Sequence, residues 1–384
     1  MPIFIQSIEL LALKVPLHTP FKTAVREVTH IHDLVVRLCS SDGHVGYGSA
    51  PSTLLITGED HVSTLGAIEN VISPMLVNQS LEDFEDLVKK IHHIKQVGSN
   101  AKAAIDIALF DLHANSKQQP LYEVIARFGN STQNIKIGDP VLETDYTISV
   151  NPVEQMCQDI DTAVARAYRC LKIKIGNQPE LDLQRLRAIY AHVQGKQNEH
   201  LAVTLRLDVN QGWDVPTTIK IMLELEQQGI HFELIEQPLI AANIEGLAEI
   251  KRAIKTPIMA DESAFNLEQV KQLHRLDAVD IINIKLIKAG GIYPAMQIAD
   301  YCRSNAIKCM IGCMLEGSIG VAAAAHLAVA YPDVITLIDL DGPTLGQYDP
   351  VKGATTFEDA HIFLNNTPGL GIGAQHGLPK WGEA

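Results

Sequence analysis

Ionisable residues recur at the ends of short β-branched runs in the second half of this chain: Lys172 and Lys174, Asp208, Glu236, Asp261, Lys285, and then Asp339 with Asp341. These types in this order can do a particular chemistry. Three carboxylates brought together suppress one another's ionisation unless a counter-charge joins them. A hard, oxygen-preferring divalent cation supplies it, most simply Mg²⁺, with Mn²⁺ as the alternative. Two amines on opposite sides of a carbon centre can invert it, one removing a proton and the other returning one to the far face. Lysine must be neutral to act as the base, and a nearby cation and a second amine favour that form. A carboxylate turned toward the cation serves as electrophile, because charge leaving the carbon builds on its oxygens.

The positions follow from the elements that carry them. In Leu171–Ile175 apolar and cationic residues alternate with the period of a strand, so Lys172 and Lys174 share one face. Taken alone, that stretch also reads as a half-exposed strand with solvated lysines. From about Thr144, however, strand-like runs alternate with helical segments. The runs are Tyr146–Val150, Leu171–Ile175, Val203–Asp208, Phe232–Glu236, Ile258–Asp261, Ile281–Lys285, Lys308–Cys313 and Ile335–Asp339. Their polar ends are 24 to 34 residues apart, against about 31 per unit in an eightfold α/β barrel. Active residues of such barrels sit at the carboxyl ends of the strands. Asp208, Glu236 and Asp261 then occupy one arc of the mouth, and Lys174 and Lys285, four strands apart in eight, face each other across it. Three separate helix caps would also account for the acids one at a time, and a buried ion pair for Lys285.

Residues 1–60 read as antiparallel β, with Ser41-Asp42-Gly43-His44 as a hairpin turn. Gly43, Gly46 and Gly48 sit in that hairpin rather than between a strand and a helix, so no nucleotide loop is inferred. Loops are expected at Thr19–Glu27 and Ala50–Glu59. Residues 60–130 read as helical, with Asp106 and Asp111 on Ala101–Ala114 as capping or solvated acids. Thr355–Leu364 and Pro368–Ile372 read as a β return to the N-terminal domain. The expected domains are 1–130, 131–345 and 346–384, the last rejoining the first. Thirty-one basic and 45 acidic residues leave a net charge of −14 with no basic run, which argues against nucleic acid and anionic membranes as partners. The first ten residues do not read as a signal peptide. The apolar stretch Ile319–Tyr331 is too short to span a bilayer. Six cysteines without C-x-x-C spacing suit free thiols in a reducing cytoplasm.

The Lys-x-Lys, Asp, Glu, Asp, Lys order resembles the muconate-lactonizing subgroup of the enolase superfamily, which uses a Lys or His base with Mg²⁺. Gly312-Cys313-Met314-Leu315-Glu316 and Asp339-Leu340-Asp341-Gly342-Pro343 narrow the likeness to dipeptide epimerases, similar to L-Ala-D/L-Glu epimerases. The resemblance implies a modified TIM barrel, (β/α)7β, with an α+β capping domain built from the N-terminal part and the C-terminal tail. It implies one Mg²⁺ per subunit on Asp208, Glu236 and Asp261, with Lys172, Lys174 and Lys285 as the catalytic lysines. Asp339 and Asp341 would hold the free ammonium of a dipeptide, and Cys313 and Met314 would also contact the substrate. Arg26 would meet an acidic second side chain, and the Ile56-Thr57-Gly58 loop would close over the ligand. Asn210, Glu262 and Asn283 would support the site from behind, and a homo-oligomer is expected. Gly317, where the family often has Ser after Glu, departs from the pattern. A lyase or cycloisomerase on the same scaffold would share the lysines and metal ligands without needing an ammonium site. A non-catalytic ligand-binding relative is a third reading.

Overall fold

The computed structural model describes residues 2–22, 27–52, 54–129, 140–176, 178–196, 202–372 and 377–383. Arg26 lies outside them. Strands β1 (Ile5–Lys22), β2 (Glu27–Ser40) and β3 (Val45–Pro51) form an antiparallel sheet in that order. The Asp-Gly turn joins β2 to β3, with Gly43 at φ +91° and the Ser40 hydroxyl donating to Asp42 Oδ1 at 2.5 Å. The expected loop at Thr19–Glu27 is shorter than anticipated: β1 runs on to Lys22, and Phe21 pairs with Val28 after a break in register. Pro16 and Pro20 lie within β1, an edge strand, where a missing N–H leaves no ladder bond unmade.

Helix Ser99–Ser116 lies against this sheet and is buried almost all round. Gly46 and Gly48 are there for that contact: a Cβ on Gly48 would stand 2.0 Å from the Ala104 carbonyl oxygen. Asp106 and Asp111 are not solvated, which corrects the sequence reading. Asp106 leaves its own helix uncapped and instead takes the Ile292 N–H at 2.5 Å, at the start of helix Ile292–Ser304. Asp111 accepts from the Tyr47 and Leu370 N–H groups, each at 2.7 Å. Both acids join segments far apart in the chain, which spacing on one helix cannot reveal.

After β4 (Val141–Glu143) come eight parallel strands: β5 (Tyr146–Ile148), β6 (Cys170–Lys174), β7 (Thr204–Asp208), β8 (Ile235–Glu236), β9 (Ile258–Ala260), β10 (Ile281–Ile284), β11 (Lys308–Gly312) and β12 (Ile335–Asp339). They pair in sequence order from β5 to β12. Side chains on alternate positions point inward. Leu234, Met259, Ile281 and Met310 make a separate apolar cluster, each two positions before a residue of the mouth. The outward set, Leu171, Ile173 and Ile175, is fully buried under helices. The seam between β12 and β5 is held by Asp145 N–H to Ile338 O at 3.4 Å, Leu340 N–H to Thr144 Oγ1 at 2.8 Å and Thr147 N–H to Asp341 Oδ2 at 2.7 Å. Arg206 bridges the same seam, reaching Asp145 Oδ2 at 2.6 Å and Ile338 O at 3.1 Å.

The C-terminal hairpin differs from expectation. β13 (Thr356–Glu358) and β14 (His361–Phe363) pair with β4 rather than with the N-terminal sheet. The chain meets the N-terminal segment on either side of the hairpin: before it at Gln347 N–H to Pro16 O, and after it at Leu121 N–H to Gly369 O and at Pro379–Trp381 against Leu10–Ala12. All six cysteines are free. Among the described residues no helix is long and apolar enough to cross a membrane.

Gly48→Ala tests the sheet–helix contact. The methyl group has backbone against it, so denaturant unfolding is expected to show a loss of about 1–3 kcal/mol, whereas Gly43→Ala acts only through its turn.

Candidate active site

The strand register sets Lys174, Asp208 and Glu236 side by side, since Lys174 pairs with Asp208 and Asp208 with Glu236. Lys172 lies deeper and meets three carboxylates: Asp208 Oδ2 at 3.0 Å, Glu236 Oε2 at 2.7 Å and Asp339 Oδ2 at 2.7 Å. Lys174 donates to Asp208 Oδ2 at 2.7 Å and to Asn210 Oδ1 at 3.0 Å. Asn210 adopts φ +46°, a conformation Asn tolerates well, and its N–H returns to Asp208 Oδ1 at 3.0 Å. Across the mouth, on the residue after β10, Lys285 donates to Asp261 Oδ2 at 2.9 Å. Asn283 donates to Glu236 Oε1 at 2.7 Å. Gly312 makes room for this side: a Cβ there would be 2.6 Å from Asn283 Oδ1 and 3.0 Å from Lys285 Cε.

Burial and charge pull these groups in opposite directions. Burial would raise Asp208, but Lys172 and Lys174 bring it down to about 2. Asp261 is likewise lowered, by Lys285 and Lys288. Glu236 is pushed up to about 7, by burial and then by the charge of Asp208. Glu262 rises to about 8 from burial and the neighbouring Asp261. Burial works against the ammonium groups of Lys172 and Lys285, yet surrounding carboxylates hold both above the ordinary lysine range. On the last strand, Asp339 is lowered against burial by Lys172. Asp341 is raised to about 6, by burial and by Asp339.

Both of these acids line the cavity, with Lys172, Lys174 and Lys285. Cys313 and Met314 line it too, from the loop after β11, and the Cys313 thiol is pushed up chiefly by burial. Of the capping loop, Ile56 faces the cavity and Thr57 does not. Thr57 ends a short helix, Leu54–Thr57, and is half-buried. The departure at Gly317 has a local cause: a Cβ there would lie 2.9 Å from Leu13 Cδ1, and its N–H donates to Asp33 Oδ2 at 2.8 Å.

Three participants were not singled out from sequence. Lys288 donates to the Asp261 carboxylate, to Asp261 O at 2.6 Å and to Asn283 O at 3.0 Å. Its signal was the spacing Lys285-x-x-Lys288, one helical turn. Gln237, at φ +37°, accepts from the Asp261 and Ser263 N–H groups at 2.9 and 3.1 Å and so fixes the loop after β9. Phe21 lines the cavity, with Lys174 Nζ 5.7 Å from its ring centre.

Six buried carboxyls (Asp208, Glu236, Asp261, Glu262, Asp339, Asp341) stand among four buried lysines (Lys172, Lys174, Lys285, Lys288). Counted with every group ionised, that is a deficit of two positive charges. One oxygen of Glu236 meets Lys172 outside hydrogen-bond geometry, and one of Glu262 is buried with no hydrogen-bond partner. Among the described residues no three side chains of His, Cys, Asp or Glu are already gathered as ligands around one point, because the carboxylates are turned onto the lysines. The oxygen donors and the deficit fit a hard divalent cation.

Residues 6–126 match the mandelate racemase/muconate lactonizing enzyme N-terminal domain, and residues 155–376 match the enolase C-terminal domain-like family. The chain belongs to the mandelate racemase/muconate lactonizing enzyme family of the enolase superfamily. Within that family it is 43% identical to the L-Ala-D/L-Glu epimerase of Clostridium acetobutylicum, covering 94% of this chain and 96% of that protein. The substrate-liganded L-Ala-D/L-Glu epimerase of Bacillus subtilis superposes with a TM-score of 0.89 at 37% identity, over 96% of this chain and 98% of that one. The dipeptide epimerase of Enterococcus faecalis, complexed with Mg and the dipeptide L-Leu-L-Tyr, gives 0.86 at 34% identity over 97% and 99%.

Gly312→Ala is expected to displace the Lys285 stem. Steady-state turnover should fall by about a hundredfold, while the unfolding midpoint moves by no more than the cost of one misplaced methyl group.

Proposed function

We propose that the protein is an isomerase, a dipeptide epimerase that inverts the α-carbon of the C-terminal residue by two-lysine proton transfer. L-Ala-D/L-Glu, of murein peptide origin, is the leading substrate. The observation that carries the reading is the pairing of an acidic couple at and just after the end of β12, Asp339 and Asp341, with lysines on β6 and immediately after β10. Lysines and a carboxylate arc alone would serve a cycloisomerase or an o-succinylbenzoate synthase as well. The buried acids at the amino end favour a substrate with a free ammonium group.

Asp208, Glu236 and Asp261 would hold the Mg²⁺, which supplies positive charge to the substrate carboxylate as its α-proton leaves. Lys174 and Lys285 flank the α-carbon from β6 and β10. One, as the free amine, takes the proton; the other, as the ammonium ion, gives one to the opposite face. Asn210 orients the Lys174 amine, and Asp261 orients that of Lys285. Lys172, among three carboxylates, stays cationic and stabilises charge on the substrate rather than moving a proton. Asp341 is anchored through Oδ2 on the Thr147 N–H, and its ionised form would take the substrate ammonium. Asp339 shares its charge with Lys172. Arg26, Cys313 and Met314 are assigned to the substrate's side chains, and Glu262 and Asn283 to support of the carboxylate arc. The four half-buried free cysteines suit a cytoplasmic protein, and a homo-oligomer is proposed with it.

A pooled L-dipeptide library incubated with protein and Mg²⁺ in D₂O is expected to gain one deuterium on members of the X-Glu class, read by mass spectrometry. No exchange in any member removes the proposal. Asp341→Asn keeps the acceptor for Thr147 but loses the charge. It should lower kcat/KM for free dipeptides on the order of a hundredfold, and much less for N-acetylated ones; equal effects would favour the lyase reading.

A further inference from the structure

Two fully buried acids meet where the N-terminal sheet touches the barrel, outside the cavity. Asp33 is on β2 and is 0% exposed; Glu316 follows β11 and is 4% exposed. Asp33 Oδ2 accepts the Gly317 N–H at 2.8 Å, and Glu316 Oε1 accepts the Met314 N–H at 2.8 Å. These bonds fix both ends of Met314–Gly317, the segment whose Met314 and Leu315 wall the cavity. Neither acid has a cationic partner within 4 Å among the described residues. Asp33 Oδ1 and the Ser49 hydroxyl, which reaches in from β3, are buried without a hydrogen-bond partner. Room for the carboxyl comes from Gly320, where a Cβ would lie 2.0 Å from Glu316 Oε2 and 3.3 Å from Ser49 Oγ. The other ionisable groups facing this place are Lys285 from β10, Cys313 from the end of β11, and Asp349, which accepts from the Ser318 hydroxyl at 3.0 Å.

Two carboxylates cannot both be ionised in an apolar interface with no cation between them. We propose that Asp33 and Glu316 form a proton-holding latch: at least one is the neutral acid, and the latch positions the Met314–Gly317 wall of the cavity against the capping sheet. Burial raises Asp33 to about 7, and burial with the Asp33 charge raises Glu316 to about 8. A carboxyl raised in the folded state gives its full stability below its unfolded value near 4, and that stability is lost as pH climbs through the folded value. The latch therefore weakens from about pH 4 to pH 8. Its effect on catalysis rests on the epimerase reading; its existence does not.

Asp33→Asn and Glu316→Gln keep each acceptor and abolish ionisation. The melting temperature of either variant minus that of the wild type should rise by about 3 °C between pH 5 and pH 8.5. Amide protection of residues 313–318, corrected for intrinsic exchange, should fall at least tenfold in the wild type from pH 6 to pH 9 and stay level in the double variant Asp33→Asn with Glu316→Gln. The ratio of kcat/KM at pH 9 to that at pH 7 should be at least threefold higher in Asp33→Asn. A pH-independent melting difference in both variants, or unchanged wild-type protection, overturns the latch. An unchanged rate ratio overturns its positioning role. Absence of any epimerisation, with the first two results as expected, removes only the epimerase reading.

Discussion

The balance of buried charge at the barrel mouth governs this structure. Six carboxyls and four lysines are withdrawn from water together, and the lysines hold four of the acids, Asp208, Glu236, Asp261 and Asp339. An isolated charge in such a place would cost several kcal/mol. Lys172 shows the constraint most plainly: burial opposes its charge, and three carboxylates within 3.0 Å restore it. The acids outnumber the amines by two, and their oxygens are of the kind a hard divalent cation prefers. The same imbalance that leaves Glu236 raised makes the arc receptive to a hard metal ion.

The rest of the fold keeps these groups from relaxing. Below the mouth, Leu234, Met259, Ile281 and Met310 form an apolar layer under the charged set. The seam between β12 and β5 uses polar groups where a continuous ladder would otherwise run, and one of them, Asp341, also faces the cavity. Closure of the barrel and the acidic end of the cavity thus depend on one residue. On the far side, Gly312 lets Lys285 and Asn283 approach β11 closely. Asp106 and Asp33 join the capping segments to the barrel by accepting backbone N–H groups, and Asp111 ties the capping sheet to the C-terminal tail in the same way. The mouth is therefore framed by buried acids on both domains.

Much of this was legible in the residues. Period-two alternation marked Lys172 and Lys174 as inward neighbours, and regular recurrence of β-branched runs indicated a barrel. Strand order then placed Lys174 opposite Lys285. The errors also have physical causes. The loop expected at Thr19–Glu27 is shorter because Phe21 resumes pairing with Val28 after a break in register, which local sequence does not show. Asp106 and Asp111 looked solvated because helical spacing does not say what packs over a helix. The β13–β14 hairpin was assigned to the wrong sheet because strand pattern carries no partner.

The sequence by itself determined which side chains point together, since direction along a strand is a local property of the backbone. It also determined that acids and amines would share the mouth, because the strands bearing them are consecutive. Only the tertiary structure decided who holds whom: that Lys172 binds three carboxylates, that Lys288 reaches back to Asp261, that Asp33 meets Gly317 across 284 positions of chain. Those contacts depend on distances between segments remote in sequence. Burial then sets the strength of each interaction, and burial belongs to the packed whole rather than to any stretch of it.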